Sequence, residues 1–178
     1  MGSEMCIRDR AVVTSVRWSG AGHRLASGSD DTFVFVWEPR AGGAWARAAT
    51  LRGHGADVLD VAWSADDAML ASCSIDNSVC VWDARNLALL MAPLRTLRGH
   101  ANWVKGVAWD PTGRFLASAS EDRRVLVWRA SGAVCKSNLQ IDFNVRVFEC
   151  FDTSTCAVLR ELAESNRFVQ KSAESTSI

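Results

Sequence analysis

The sequence predicts an all-β chain, an incomplete β-propeller of about three blades plus a partial one, and two observations carry that prediction. Three 25-residue segments align without gaps: VTSVRWSGAGHRLASGSDDTFVFVW, VLDVAWSADDAMLASCSIDNSVCVW and VKGVAWDPTGRFLASASEDRRVLVW. Within them Trp18, Trp63 and Trp109 recur at spacings of 45 and 46, and Trp37, Trp82 and Trp128 recur at the same spacings. A period near 45 with four short strand signals per unit is what a propeller blade requires.

The elements of the middle unit show the pattern in order. VLDVAWS, MLASCS and SVCVWDA are β-branched or apolar runs of strand length, separated by the turn pairs Asp66-Asp67 and Asp76-Asn77. A weaker fourth strand, PLRTLR, leads into Gly99-His100. The third unit places Asp110-Pro111-Thr112-Gly113 between its first two strands. There Pro presets one dihedral and Gly permits another. Continuous apolar runs, in place of clean alternation, predict strands buried on both faces, as stacked blades bury them. Trp18, Trp63 and Trp109 are expected in the first-strand core, Cys73 and Cys80 are expected as small buried residues, and His23 is expected in a solvated turn.

Composition narrows the function classes. The 178 residues balance 20 basic against 20 acidic side chains, so no bulk charge is available to hold a nucleic-acid backbone. No apolar run approaches the 18 or more residues of a membrane span, and MGSEMCIRDR lacks the apolar centre of a signal peptide. The six cysteines form no CxxC pair, which points to a reducing compartment. No nucleophile elbow, phosphate loop or metal-spaced His/Cys cluster is present, so no enzyme activity, small-molecule substrate, cofactor or metal is expected.

Both ends break the pattern. Residues 1–10 read as a foreign leader where a strand and a Gly-His should stand. Residues 11–130 hold the three repeats, divided as 11–53, 54–99 and 100–130. Register is lost after Trp128. Segment 131–162 reads as a partial repeat, with Asp142 six residues before Phe148 as Asp76 is before Trp82, and 163–178 is a polar tail, disordered or helical. Three blades do not close a ring, so the chain is expected to be a fragment of a longer product, with uncovered blade faces that favour association.

These residues resemble the WD-repeat family over roughly residues 11 to 130. That family's hallmark is a hydrogen-bonded chain of His, Ser or Thr, Asp and Trp. His54, Ser72, Asp76 and Trp82 match it, as do His100, Ser118, Asp122 and Trp128, whereas the first unit has Ser27, Asp31 and Trp37 but Asp9 in place of His. A Ser, His and Asp together also suggest a hydrolase triad, but a catalytic triad would not recur in tandem at strand-fixed spacing. The segment TLRGHANWVKGVAWDPTGRFLASASEDRRVLVWRAS resembles the HIRA histone chaperone family, as do LRGHGADVLDVAWSADDAMLASCSIDNSVCVWDA and VTSVRWSGAGHRLASGSDD before it, and Trp45 sits where that family carries a Trp in a longer link. The resemblance implies repeats two to four of an amino-terminal, seven-bladed propeller. It further implies a nuclear scaffold of replication-independent nucleosome assembly and transcriptional repression, which recruits ubinuclein-type partners. The small subunit of chromatin assembly factor one is the nearest confusable relative. The runner-up reading rests on Val81-Trp82-Asp83-Ala84-Arg85, which matches the WDxR box of substrate receptors of cullin-type ubiquitin ligases. There Arg85 would dock on the adaptor; its bland reading is a solvated strand-end Arg.

Partners of WD-repeat proteins usually dock where the first strand begins and the second turns into the third. Position in the repeat puts Val12, Thr14 and Asp30 there, then Asp57, Leu59 and Ile75, then Trp103, Lys105 and Glu121. Trp103 stands out, since exposed Trp is over-represented in binding hot spots; the alternative is that it packs on a neighbouring loop. The acidic balance of these residues suits a basic protein segment better than DNA.

Overall fold

In the computed structural model the described residues are 11–85, 92–129 and the backbone of 134–140, all within one compact unit, Met1–Phe143. Twelve strands form three four-stranded antiparallel sheets, and among the described residues there is no helix. The first sheet holds β1 (Val13–Trp18), β2 (Leu25–Ser29), β3 (Phe33–Pro39) and β4 (Trp45–Arg52). The second holds β5 (Val58–Trp63), β6 (Met69–Ser74), β7 (Ser78–Asp83) and β8 (Arg95–Arg98). The third holds β9 (Val104–Trp109), β10 (Phe115–Ser120), β11 (Arg124–Arg129) and β12 (Val134–Gln140). Strands are paired in chain order within every sheet, as three propeller blades require.

The third blade thus takes its outer strand from beyond residue 130: β12 pairs with β11 from Arg124↔Gln140 to Trp128↔Val134. That pairing runs past the boundary drawn at the end of the repeat pattern, because an edge strand bonded on one side needs little sequence signature. The Asp142–Phe148 spacing and residues 1–10 and 163–178 lie outside the described residues.

Turn chemistry repeats with the sequence. Gly22, Asp67 and Gly113 occupy one position of the first turn, and all three have positive φ (73°, 56° and 66°). Thr32, Asn77 and Arg123 do the same in the second turn (77°, 64° and 66°). Left-handed backbone suits Gly and Asn and costs a β-branched Thr most. Each first strand also carries a bulge, at Thr14, Leu59 and Lys105, seen as register shifts between Val13/Ser15, Val58/Asp60 and Ala119/Ser120.

Alternation along each strand decides which side of a blade a residue serves. We term the face that meets the preceding blade the leading face and its opposite the trailing face. In β7, Cys80 and Trp82 point to the leading side and join Val58, Val61 and Leu70 against Ala26, Val34, Val36 and Leu51 of the first blade. Val79 and Val81 point the other way and join Ala71, Cys73 and Leu97 against Val104, Val107, Leu116, Leu126 and Trp128 of the third. The interior is two inter-blade layers, which is why β7 is buried from Ser78 through Trp82.

The expectation of a first-strand tryptophan core holds only in part. Trp63 and Trp109 are half-buried, and each indole reaches the preceding blade: Trp63 donates to the Arg17 carbonyl and Trp109 to the Ala62 carbonyl, both at 3.2 Å. Trp18 is 56% exposed and instead meets Trp45 edge-on, with ring centroids 5.3 Å apart. Burial at this position comes from the preceding blade, and no described strand lies on the leading face of the first. Cys73 and Cys80 are buried, as expected, and His23 is exposed.

The Gly of each Gly-His pair has a steric cause. A Cβ on Gly53 would stand 2.8 Å from Cη2 of Trp82, and one on Gly99 would stand 3.1 Å from that of Trp128. Gly53→Ala should therefore lower stability by about 1–3 kcal/mol, the usual cost of forcing extra volume into a packed interior. Urea melts at one fixed protein concentration measure it, and an unchanged midpoint would show that the Trp82 ring yields freely.

Candidate functional site

Two groups of side chains compete for a functional reading: the buried His-Ser-Asp-Trp chains and the exposed rim where first strands begin. In the second blade, Trp82 Nε1 donates to Ser72 Oγ (3.0 Å), Ser72 Oγ lies 2.8 Å from His54 Nε2, and His54 Nδ1 lies 3.1 Å from Asp76 Oδ2. The third blade repeats this with Trp128, Ser118, His100 and Asp122 at 2.9, 2.8 and 2.9 Å. The same carboxylates cap the loop that carries the His, through the amides of Gly55 and Ala101, and the next turn, through the amides of Ser78 and Arg124. The chain thus ties the strand-entry loop to the β6–β7 turn of its own blade. In the first blade the lower half survives: Trp37 donates to Ser27 Oγ (3.0 Å) and Asp31 accepts from the Phe33 amide (3.1 Å).

Ser72, His54 and Asp76 have the distances of a hydrolytic triad. Their surroundings do not allow that use. Ser72 is fully buried and its oxygen already accepts the Trp82 N–H. A nucleophile must reach a substrate carbonyl, and no path leads to one here. The same holds for Ser118 against Trp128. Among the described residues no group of three or more His, Cys, Asp or Glu is placed to hold a metal ion.

Electrostatics couples the chain to pH. Burial works against charge on His54, but the hydrogen bond to Asp76, the adjacent Cys80 sulfur and the Asp76 charge outweigh it and push the ring up to about 9. Burial would raise Asp76 too, yet the bonds from His54, Ser78 and the Gly55 amide hold it well below the usual carboxylate range. Asp122 is lowered in the same way, against its burial, by the Ala101 amide, His100 and the Arg124 amide. A raised folded-state value makes the His54 contribution complete below its ordinary 6.5 and lost as pH rises through about 9. The lowered carboxylates contribute above their ordinary value near 4 and lose that contribution as pH falls. The urea midpoint should be highest between roughly pH 4 and 6.5 and decline on both sides. Asp76→Asn should remove most of the alkaline decline, since the carboxylate is what holds the proton on His54. A wild-type midpoint that is flat from pH 6 to 10 would show a neutral His54 in the folded chain.

The rim is assembled by backbone bonds that recur in each blade. The carbonyls of Val12, Asp57 and Trp103 accept the amides of Asp30, Ile75 and Glu121 at 3.1, 3.1 and 3.0 Å. These bonds bring the predicted residues together at the start of each first strand. Val12 is 65% and Trp103 is 43% exposed. The Trp103 backbone is held twice, its amide donating to Asn102 Oδ1 at 2.8 Å while its carbonyl accepts Glu121. Lys105, on the bulge, pairs with Glu121 at 2.5 Å. Asp30 Oδ1 accepts the Val12 amide, and Thr14 Oγ1 donates to the Val58 carbonyl of the next blade. Leu59 is half-buried against the interior layer, and Asp57 and Ile75 are half-buried. Bulges re-aim side chains at such edges, which is how alternation yields at Lys105.

Arg85 lies elsewhere. Its guanidinium is clasped by Asp83 through Nε and Nη2, both at 2.8 Å, at the exposed end of β7. Several blade-to-blade links had no sequence signature in advance. Asp67 accepts the amides of Gly20 (2.6 Å) and Ala21 (2.9 Å), Arg17 pairs with Asp60 (3.0 Å), and Arg24 donates to the Ala84 carbonyl (2.8 Å). Only the recurring Trp63 and Trp109 offered a signal, since a Trp at one fixed place in every unit needs a reason.

The profile of the CAF1B/HIR1 beta-propeller domain matches residues 3–148, well over half of the chain. The chain belongs to this family. Curated relatives of this propeller include the Protein HIRA homolog of Drosophila melanogaster, 48% identical over 73 residues, covering 32% of the chain and 7% of that protein. Protein HIRA of Oryza sativa subsp. japonica is 45% identical over 70 residues, covering 31% of the chain and 7% of the relative. That of Dictyostelium discoideum is 40% identical over 57 residues, covering 28% and 5%. The HIRA-like propeller segment thus matches less than a tenth of the length of these relatives. Among solved structures, that of U3-55K superposes with a TM-score of 0.66 at 23% identity, covering 75% of this chain and 40% of that one, a likeness of fold.

Proposed function

We propose that the chain is a protein-docking scaffold of a nuclear histone chaperone, part of a HIRA-like subunit in replication-independent nucleosome assembly and transcriptional repression. It carries no chemistry of its own. The observation that carries this reading is the contrast between the two groups of polar residues. Those with catalytic-looking geometry are sealed in the blades, whereas the rim holds a Trp that is 43% exposed on a doubly pinned backbone. A rigid, half-exposed aromatic is what a docking hot spot needs, because little entropy is lost when a partner covers it. Along the rim of the three blades Asp30, Asp57 and Glu121 outnumber Lys105, so a basic segment of a ubinuclein-type partner fits better than a phosphate backbone.

The competing reading, adaptor docking through Arg85, would have to release the fork from Asp83 first. A pull-down with the purified chain against a ubinuclein-type protein and a cullin adaptor, side by side, separates the two. Retention of the ubinuclein-type protein alone, lost on Trp103→Ala and kept on Arg85→Ala, is the expected outcome. The reverse pattern would overturn the scaffold assignment.

A further inference from the structure

We propose that the two joints flanking the second blade differ in stiffness: the first and second blades are clamped as a pair, and local opening occurs between the second and third. The apolar filling of the joints gives no reason for a difference. One holds Val58, Val61, Leu70 and Trp82, and the other holds Val104, Val107, Leu116 and Trp128, the same residues one repeat later. An indole crosses each joint as well, Trp63 to the Arg17 carbonyl and Trp109 to the Ala62 carbonyl, both at 3.2 Å.

The polar links break this symmetry. Across the first joint Thr14 donates to the Val58 carbonyl, Arg17 pairs with Asp60 at 3.0 Å, and Arg24 donates to the Ala84 carbonyl at 2.8 Å. Asp67 accepts the Gly20 and Ala21 amides there at 2.6 and 2.9 Å. One repeat later Leu59, Ala62, Met69 and Gly113 stand in place of Thr14, Arg17, Arg24 and Asp67, and Gly106 stands in place of Asp60. None of these supplies the donor or charge that its counterpart brings, so none of the four links recurs at the second joint. Beside the Trp109 bond, the second joint has the Val107 amide donating to Asp60 at 3.4 Å. Links in contact with water are individually weak. Their concentration at one joint still decides where opening comes first, because native proteins open locally at their least stabilised contacts.

Each joint carries its own reporter. Cys80 lies in the layer between the first and second blades, Cys73 lies in that between the second and third, and both are 0% exposed. A thiol reagent reaches either sulfur only when its joint opens. Alkylation of the full 178-residue chain with iodoacetamide, without denaturant, reads both rates in one sample once tandem mass spectrometry locates the label. Each rate is divided by that of the same cysteine in the urea-unfolded chain, which removes intrinsic reactivity. Cys73 should react about tenfold faster than Cys80. Arg24→Met and Asp67→Gly together install the second joint's residues in the first. That double variant should raise the Cys80 rate about threefold or more and leave Cys73 unchanged, with circular dichroism checking that the blades remain folded. Equal rates in the wild type, or a faster Cys80, overturn the proposal. So does a Cys80 rate that the double variant leaves unchanged, or a rise at Cys73 as large as that at Cys80.

Discussion

Trp82→Ala should lower the unfolding free energy by about 3–5 kcal/mol, the cost of deleting a buried aromatic that its surroundings cannot refill. Trp82 is fully buried, lies in the layer between the first two blades and donates to Ser72. The ring sits against Gly53, so truncation leaves a cavity where two blades meet and removes one of the two hydrogen-bond partners of Ser72 Oγ, leaving His54 Nε2. Against a typical total of 5–15 kcal/mol, that loss brings the chain close to unfolding. Trp18→Ala is the control: at 56% exposure with one edge contact to Trp45, it should cost about 1 kcal/mol in the dilute single chain. Urea melts of both variants decide the matter. Equal losses would mean that the inter-blade layer is not where the stability resides.

Trp103→Ala should weaken partner binding by about 2 kcal/mol or more, on the order of 30-fold, while lowering the unfolding free energy by no more than about 0.5 kcal/mol. The two effects separate because the side chain is 43% exposed, while its backbone bonds to Asn102 and Glu121 do not depend on the indole. Calorimetric titration with a ubinuclein-type peptide reads the first effect and a denaturant melt the second. Unchanged affinity would remove Trp103 from the docking rim. A large stability loss would place it in the packing, as the alternative reading of that residue holds.

Much of the fold was legible because a blade is a local object. Its strands pair in chain order, so period, turn residues and strand length together specify the inner strands of each repeat without long-range information; β4 is the exception, since Trp45, read from the sequence as part of a longer link, opens that strand and pairs with Pro39. Even the sign of φ could be read at Gly113, where the turn Asp110-Pro111-Thr112-Gly113 called for it. The third outer strand escaped because β12 lies beyond the last Trp, in a stretch without the repeat's own residues. The bulges at Thr14, Leu59 and Lys105 escaped for a different reason: an extra residue in a first strand leaves the spacing of every other landmark unchanged.

What the sequence by itself determined is the frame of one repeat: short strands in chain order, two turns, and a His placed 22 residues before its Asp. Residues that meet only inside a blade have their partners at fixed sequence distances, so the pattern of one chain segment contains them. What only the tertiary structure decided is the fate of each blade's two faces. Val16, Val61 and Val107 are one residue type at one position in the repeat, yet Val61 and Val107 are buried and Val16 is 45% exposed. Trp63 and Trp109 bond to the blade before them, and Trp18 lies exposed against Trp45. Burial there depends on a neighbour that the local sequence does not encode: apolar surface is removed from water only when a second face arrives to cover it.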